Sequence, residues 1–366
     1  MKGLYIHIPF CVKKCAYCDF LSFAACEEYF DVYISALLRE MEKYRGTDAD
    51  TVFIGGGTPS VLSYKQIERV CDGVNRNFKL SQSLEWTMEI NPGTITEEKM
   101  HAMKNGGINR VSVGVQSFND NELEAVGRIH NSTTAYDTVT ALYNEGFSNI
   151  SIDLMESLPY QTTDSFKHSL DVAMSLPISH ISVYSLIIEE GTPIKEKYDN
   201  GIYALPDEDS DRVLYKYTGK YLKQNGFSRY EISNYAKTGF ESKHNLKYWN
   251  CDEYIGIGLG AHSYIDDVRS YNTSVLDEYI SGITTVDASI LTKHDKMGEF
   301  MMLGLRKTEG IDKNEFYRRF SVYPDMIWKN QLDKFIGLKL MKEKNGMYSL
   351  TERGLDISNS IMCEFL

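Results

Sequence analysis

No apolar run in the chain approaches the roughly 18–20 residues that a membrane-spanning helix needs. The opening GLYIHIPF is too short for a signal segment and is followed at once by Cys, Lys and Asp. Positive charge is not in excess: the formal net charge is −12, which argues against a general nucleic-acid binder. These absences lead us to expect a cytoplasmic protein with no transmembrane segment, peripheral attachment at a membrane remaining open. Cysteine is scarce, seven among 366 residues. In a reducing compartment such thiols point to a metal or redox site before a disulfide framework.

What is present is concentrated. Three of the seven cysteines, Cys11, Cys15 and Cys18, lie in the pattern C-x-x-x-C-x-x-C directly behind the first apolar run. Zinc sites usually pair one C-x-x-C with a second pair further on. Here no fourth cysteine is near, Cys26 being too far along for the same loop. Three thiolates on a short loop suit a [4Fe–4S] cube in which one iron lacks a protein ligand. The alternatives are a zinc site completed by His7, or three packed thiols.

Six short β-rich runs recur with helical stretches between them. GLYIHI comes first, and the others begin at Thr51, Glu85, Arg110, Asn149 and His180. From Tyr29 to Tyr44, Val32, Ile34, Leu37, Leu38 and Met41 follow helical spacing. Strands alternating with helices mean βαβ units and a parallel sheet. Six units are too few for a closed eight-stranded barrel, so an α/β, open six-stranded (β/α)6 partial TIM barrel is expected over residues 1–235. A connecting region would follow at 236–295, and a smaller helical, winged-helix-like domain with a hairpin turning at Asn345-Gly346 at 296–366. We expect that domain to be a lid or docking module, its charges being nearly balanced.

His7, the Gly55–Thr58 stretch, Glu89, Gln116 and Asp153 each stand at or just beyond the end of a run. In β/α barrels the C-terminal strand ends form the active-site mouth, and the three-cysteine loop leaves the first strand at that same mouth.

The YIHIPFC stretch from Tyr5, the cysteine triad, Tyr17 and IGGGTPS resemble radical S-adenosylmethionine (SAM) proteins. More narrowly they resemble the family of oxygen-independent coproporphyrinogen oxidase. The resemblance extends through MEINPGT, VSVGVQSF, VGRIHN, ISIDLMESLP and HNLKYWNCDEYIGIGLGAHSY. It implies that the open iron is chelated by the amine and carboxylate of SAM. It further implies that Gly56, Gly57 and Thr58 border the methionine end, that Glu89 accepts from an amine or a ribose, and that Arg128 pairs with the carboxylate. Gln116 and Asp153 would hold ribose hydroxyls, and Tyr5 and Tyr17 either touch the ligand or pack in the core. The tight-turn reading of Gly55–Gly57 also remains open.

Two departures point away from the oxidase and toward the HemW-type heme chaperone branch. Phe20 stands where porphyrinogen-decarboxylating members carry a further cysteine, and the cluster motif begins almost at Met1. In that branch the H-N-x-x-Y-W histidine, here His244, is implicated in heme binding. Tyr248 and Trp249 could then pack against a porphyrin, with Cys251 as an alternative ligand; a structural, hydrogen-bonded histidine is the competing role. His262 is expected to be structural, and GIGLGA to be a loop rather than a dinucleotide fingerprint, since loop and strand follow it. The branch implies a [4Fe–4S] cluster, SAM and heme as cofactors, with no catalytic residue assigned. The partners implied are an electron donor and heme-accepting proteins, membrane-bound respiratory enzymes among them. The competing reading is an anaerobic coproporphyrinogen III oxidase.

Overall fold

The computed structural model describes residues 1–205 and 208–366. Six strands, β1 (Lys2–Ile8), β2 (Thr47–Gly56), β3 (Phe78–Ile90), β4 (Arg110–Gln116), β5 (Asn149–Glu156) and β6 (His180–Ser185), are neighbours in the order β1-β2-β3-β4-β5-β6. Each pairs in parallel with the next. The crossovers are helices: α1 (Phe30–Glu42), α2 (Tyr64–Asn77), α3 (Glu97–Gly106), then α4 (Asp120–Ala125) with α5 (Ser132–Asn144), and α6 (Thr163–Ser175). A further helix, α7 (Glu208–Gln224), follows β6. This is the expected (β/α)6 arrangement.

The helices form where side chains can close their ends. Ser63 caps α2 by accepting from the backbone N–H of Gln66, while the Gln66 side chain accepts from the Ser63 N–H. Such a cap contributes about 1 kcal/mol. The apolar face of α1 is buried through Tyr33, Ile34, Leu37 and Met41, which join Leu4, Ile6, Val52 and Trp86 from the strands in one core.

The sheet continues beyond the six strands at both ends. On one side, β7 (Ser228–Arg229) and β8 (Asn234–Ala236) add antiparallel to β6. On the other, β9 (Tyr254–Ile257) pairs in parallel with β1. Three antiparallel strands extend it: β10 (His262–Ile265), β11 (Val268–Asn272) and β12 (Thr285–Ile290). The segment expected as a connecting region therefore carries four strands of the main sheet and two helices. Its strands are short and carry polar residues, so their alternation is weak in sequence. GIGLGA leaves β9 and leads into β10, loop then strand, without the helix that a dinucleotide site requires.

The C-terminal part has its own core around Phe300, Phe316, Trp328, Leu332 and Phe365. Helices α10 (Lys293–Gly304), α11 (Lys313–Phe320) and α12 (Asp325–Gly337) pack there, numbered after α8 (Lys243–Trp249) and α9 (Leu276–Ser281). A three-stranded antiparallel sheet completes the module: β13 (Ile311–Asp312), β15 (Met347–Leu350) and β14 (Met341–Lys344), in that order. Asn345 and Gly346 both have positive φ, 54° and 78°, as a two-residue hairpin with the twist of its strands requires. The chain then forms two short helices, Glu352–Leu355 and Ser358–Met362. Among the described residues, no helix is long and apolar enough to cross a membrane.

Candidate functional site

A cavity of about 410 Å³ opens at the C-terminal ends of the parallel strands. Cys11, Cys15, Cys18, Tyr17, Gly56, Gly57, Thr58, Glu89, Gln116, Arg128 and Asp153 all line it. Of the residues expected at the site, only Tyr5 and His244 lie outside this wall. Tyr5 borders a neighbouring cavity, and His244 is inside the protein.

Hydrogen bonds hold the cysteine loop, both within itself and to its surroundings. Thr58 Oγ1 donates to Cys11 Sγ at 3.5 Å, Arg128 Nη1 donates to Cys15 Sγ at 3.4 Å, and the backbone N–H of Cys18 donates to the carbonyl of Cys15. Burial pushes the thiols of Cys11 and Cys18 up, so iron binding there must displace protons. Among the described residues, no group of cysteine, histidine or acidic side chains closes on a point as a single-ion site does. His7, the zinc-completing alternative, is engaged elsewhere: its ring nitrogens lie 2.9 Å from the Tyr5 hydroxyl and from the Leu21 carbonyl. Three thiols spread around a cavity wall fit a multi-iron group better than zinc.

The glycine stretch is held against the end of β1. Gly57 N–H donates to the Ile8 carbonyl and Thr58 N–H to the Phe10 carbonyl. A Cβ on Gly57 would meet the Phe10 carbonyl oxygen at 2.7 Å, and one on Gly56 would meet the His7 ring at 2.4 Å. Gly56 also has φ 114°. The approach expected between these glycines and a ligand is thus, first, an approach between two parts of the protein, which leaves the loop backbone on the cavity wall.

Glu89 takes one hydrogen bond from Gly56 N–H, Oε2 to N 3.0 Å. Burial, and then the neighbouring Asp153 carboxylate, push its carboxyl up to about 7. Asp153 is also raised by burial, and Ser112 Oγ donates to it at 3.5 Å. Beneath both carboxylates lies Arg110, 2 % exposed, whose charge opposes these shifts. Arg128 is fixed by Asn91 Oδ1 and the Gly114 carbonyl. Its buried Nε has no partner among the described residues, a donor left for an anionic group. Gln116 has φ 69° at an irregularity in the pairing of β4 with β5. Such strain collects at ligand sites, and here it turns the Gln116 side chain to accept from the Tyr184 hydroxyl at 3.3 Å. Asn91, Ser112, Tyr184 and Arg110 were not singled out from sequence. Asn91 and Tyr184 sit at or next to strand ends, where the rule that marked Glu89 also applies; Ser112 and a buried arginine within β4 carry no such signal.

In the H-N-x-x-Y-W stretch His244 has the surroundings of the competing role, a structural, hydrogen-bonded histidine. His244 is 1 % exposed. Its Nδ1 pairs with Thr51 Oγ1 and its Nε2 with the Tyr248 hydroxyl, each at 2.9 Å. Burial holds its pKa at about 3. A heme ligand needs access and a free ring nitrogen, and His244 has neither. Trp249 lies under the Arg306 guanidinium, 4.3 Å from the ring centroid, and lines neither the cavity at the cysteine loop nor the one beside it. Cys251 packs with the C-terminal core, and burial raises its thiol to about 12, which removes it as a ready thiolate ligand.

The Glu89 shift has a measurable consequence. A carboxyl whose folded pKa lies above its unfolded value of about 4.3 binds its proton more tightly when folded. As pH rises from about 4.3 through about 7, that contribution is lost. In ligand-free protein, Glu89→Gln is predicted to gain roughly 1–3 kcal/mol over wild type between about pH 5 and about pH 8, read from urea midpoints. Parallel pH profiles for the two proteins would contradict it.

The chain is similar to known proteins along its whole length. Residues 5–173 match the radical SAM superfamily, and residues 291–357 match the HemN C-terminal domain. The solved structure of coproporphyrinogen III oxidase (HemN) from Escherichia coli, described as a radical SAM enzyme, superposes with a TM-score of 0.86. That match covers 99 % of this chain and 89 % of that one at 22 % identity, so it speaks to fold. The heme chaperone HemW of Bacillus subtilis is 38 % identical over 376 residues, 100 % of this chain and 99 % of the relative. HemW of Lactococcus lactis is 36 % identical over 368 residues, 100 % and 97 %. With identity at this level along its whole length, the chain belongs to the HemW family within the radical SAM superfamily, a family that implies a [4Fe–4S] cluster and SAM.

Proposed function

We propose that this protein is a heme chaperone: it binds a [4Fe–4S] cluster, SAM and heme, and passes heme to acceptor proteins. Cys11, Cys15 and Cys18 would hold the cluster. When bound, a cluster with one iron free of protein ligands supplies an open coordination position and an electron. The surrounding residues are suited to SAM. The Arg128 guanidinium, already anchored by Asn91 and Gly114, would receive the carboxylate through its unpartnered edge. The second oxygen of Glu89 would accept from the amine or ribose, and Asp153 and Gln116 from hydroxyls. Tyr17 and Tyr184 would shield the ligand from water. We place the protein in the cytoplasm, meeting acceptors there or at a membrane surface, with reduction by an external electron donor.

The observation that carries the chaperone over the oxidase is Phe20. It follows the cluster loop, lines the mouth of the cavity and is 65 % exposed. A cysteine stands at this position in the decarboxylating members, and phenylalanine can neither donate nor accept a proton or hydrogen atom there as a thiol can. Reduced, cluster-replete protein given SAM and coproporphyrinogen III is therefore expected to release no protoporphyrinogen IX. Repeated turnover to that product, followed by porphyrin fluorescence after oxidation, would refute the proposal in favour of the oxidase.

A further inference from the structure

Beside the SAM cavity lies a second one of about 330 Å³, sharing Phe20, Gly56 and Glu89 with it. Its remaining wall is rich in rings: Tyr5, Tyr248 and Tyr254, with His7 and His262. Tyr248 and Tyr254 meet edge to face, centroids 4.7 Å apart. Phe20 and His262 are both exposed, so the cavity opens on the surface.

The two histidines differ. Both nitrogens of His7 are engaged within the protein. His262 opens β10 directly after the glycine loop and stacks on Tyr271, centroids 5.3 Å apart. Its environment among the described residues comprises partial burial and the Arg269 charge, with no hydrogen bond to either ring nitrogen. Both effects lower its pKa and so keep a lone pair available at neutral pH.

We propose that this second cavity is the heme site, with His262 as the axial ligand and Tyr248 and Tyr254 packed against the porphyrin. The assignment rests on the heme reading above. A neutral imidazole is a common axial ligand of heme iron, and the cavity puts one beside the Tyr248 and Tyr254 rings, on an open side that a macrocycle can enter edge first. Its far edge then stays outside, as handing heme to another protein requires. The H-N-x-x-Y-W stretch acquires a role here. His244 does not reach the iron; it fixes the Tyr248 hydroxyl, and so the ring that lines the heme cavity. His244 is a positioning residue.

The test is a hemin titration of the full-length protein, followed at the Soret band, with His262→Ala and His244→Ala beside wild type. His262→Ala is expected to lose about tenfold or more in affinity and to shift the Soret band. Added imidazole should restore the wild-type spectrum, a rescue that a merely structural histidine would not give. His244→Ala is expected to keep the wild-type Soret position. Wild-type binding with an unchanged titration and spectrum in His262→Ala would overturn the site while leaving the heme reading intact. A wild-type protein that takes up no hemin would overturn both.

Discussion

Cys15→Ala is expected to reduce cluster iron and acid-labile sulfide to background. Three thiols line the cavity, and among the described residues the other four cysteines are held elsewhere. Cys71 is buried in the core on α2, facing Gly106 of α3, and burial raises its thiol to about 12. Cys26 donates to the Ala24 carbonyl, Cys251 belongs to the C-terminal core, and Cys363 is near the chain end. None can replace a missing thiolate without moving backbone, and a multi-iron group short of one ligand is exposed to solvent and loss. Cys11→Ala and Cys18→Ala should behave alike. Cys26→Ala and Cys71→Ala should retain the full iron complement after anaerobic reconstitution. The Arg128 bond to Cys15 offers a finer control: Arg128→Ala keeps all three thiols and should keep iron while weakening SAM. Retention of iron by Cys15→Ala would show that the ligand set is wrong.

The second large effect concerns stability. Glu40, on α1, is 2 % exposed. It accepts from the Tyr279 hydroxyl at 2.5 Å, from Asn272 Nδ2 at 2.7 Å and from the backbone N–H of Gly258 at 2.9 Å. One carboxylate thus ties a barrel helix to α9, to the end of β11 and to the glycine loop before His262. Replacing it by alanine leaves three buried donors without an acceptor, at about 1–3 kcal/mol each before relaxation. We expect Glu40→Ala to destabilise the protein by about 3–5 kcal/mol, read as a lowered denaturant midpoint. Glu40→Gln keeps the volume and one acceptor oxygen but places an amide donor among donors, so it should fall in between. A loss below about 1 kcal/mol in the alanine variant would mean that water replaces the carboxylate.

The barrel and the cavity wall were largely legible in the sequence, for physical reasons. Strands buried on both faces read as apolar runs, and polar residues at their ends have few other uses, which is why Glu89, Gln116 and Asp153 stood out. The starts of β2 and β3 did not, because the polar stretches near Thr47 and after Phe78 break the apolar pattern. The strands added beside β1 were read as a connector, since half-exposed sheet with many polar residues has no strong alternation. The largest difference lies at His244. A histidine between aromatics looks the same in sequence whether it binds iron or holds a tyrosine; only its two hydrogen bonds separate the cases. The converse holds for His262, read as structural from sequence, whose unpartnered ring nitrogens appear only once the fold places it at an open cavity. Glu40 gave no signal either: an acidic residue on an amphipathic helix is ordinarily solvated, and its partners lie more than two hundred positions away.

The central claim is that heme is carried and released unchanged. It is tested most directly by loading the cluster-replete protein with iron-labelled heme, removing unbound heme, and mixing it with membranes from heme-starved cells. The account predicts that label moves to the membrane proteins as intact heme and leaves heme-free protein behind. Label that stays with the protein, or reaches the membranes only as free iron, would contradict it.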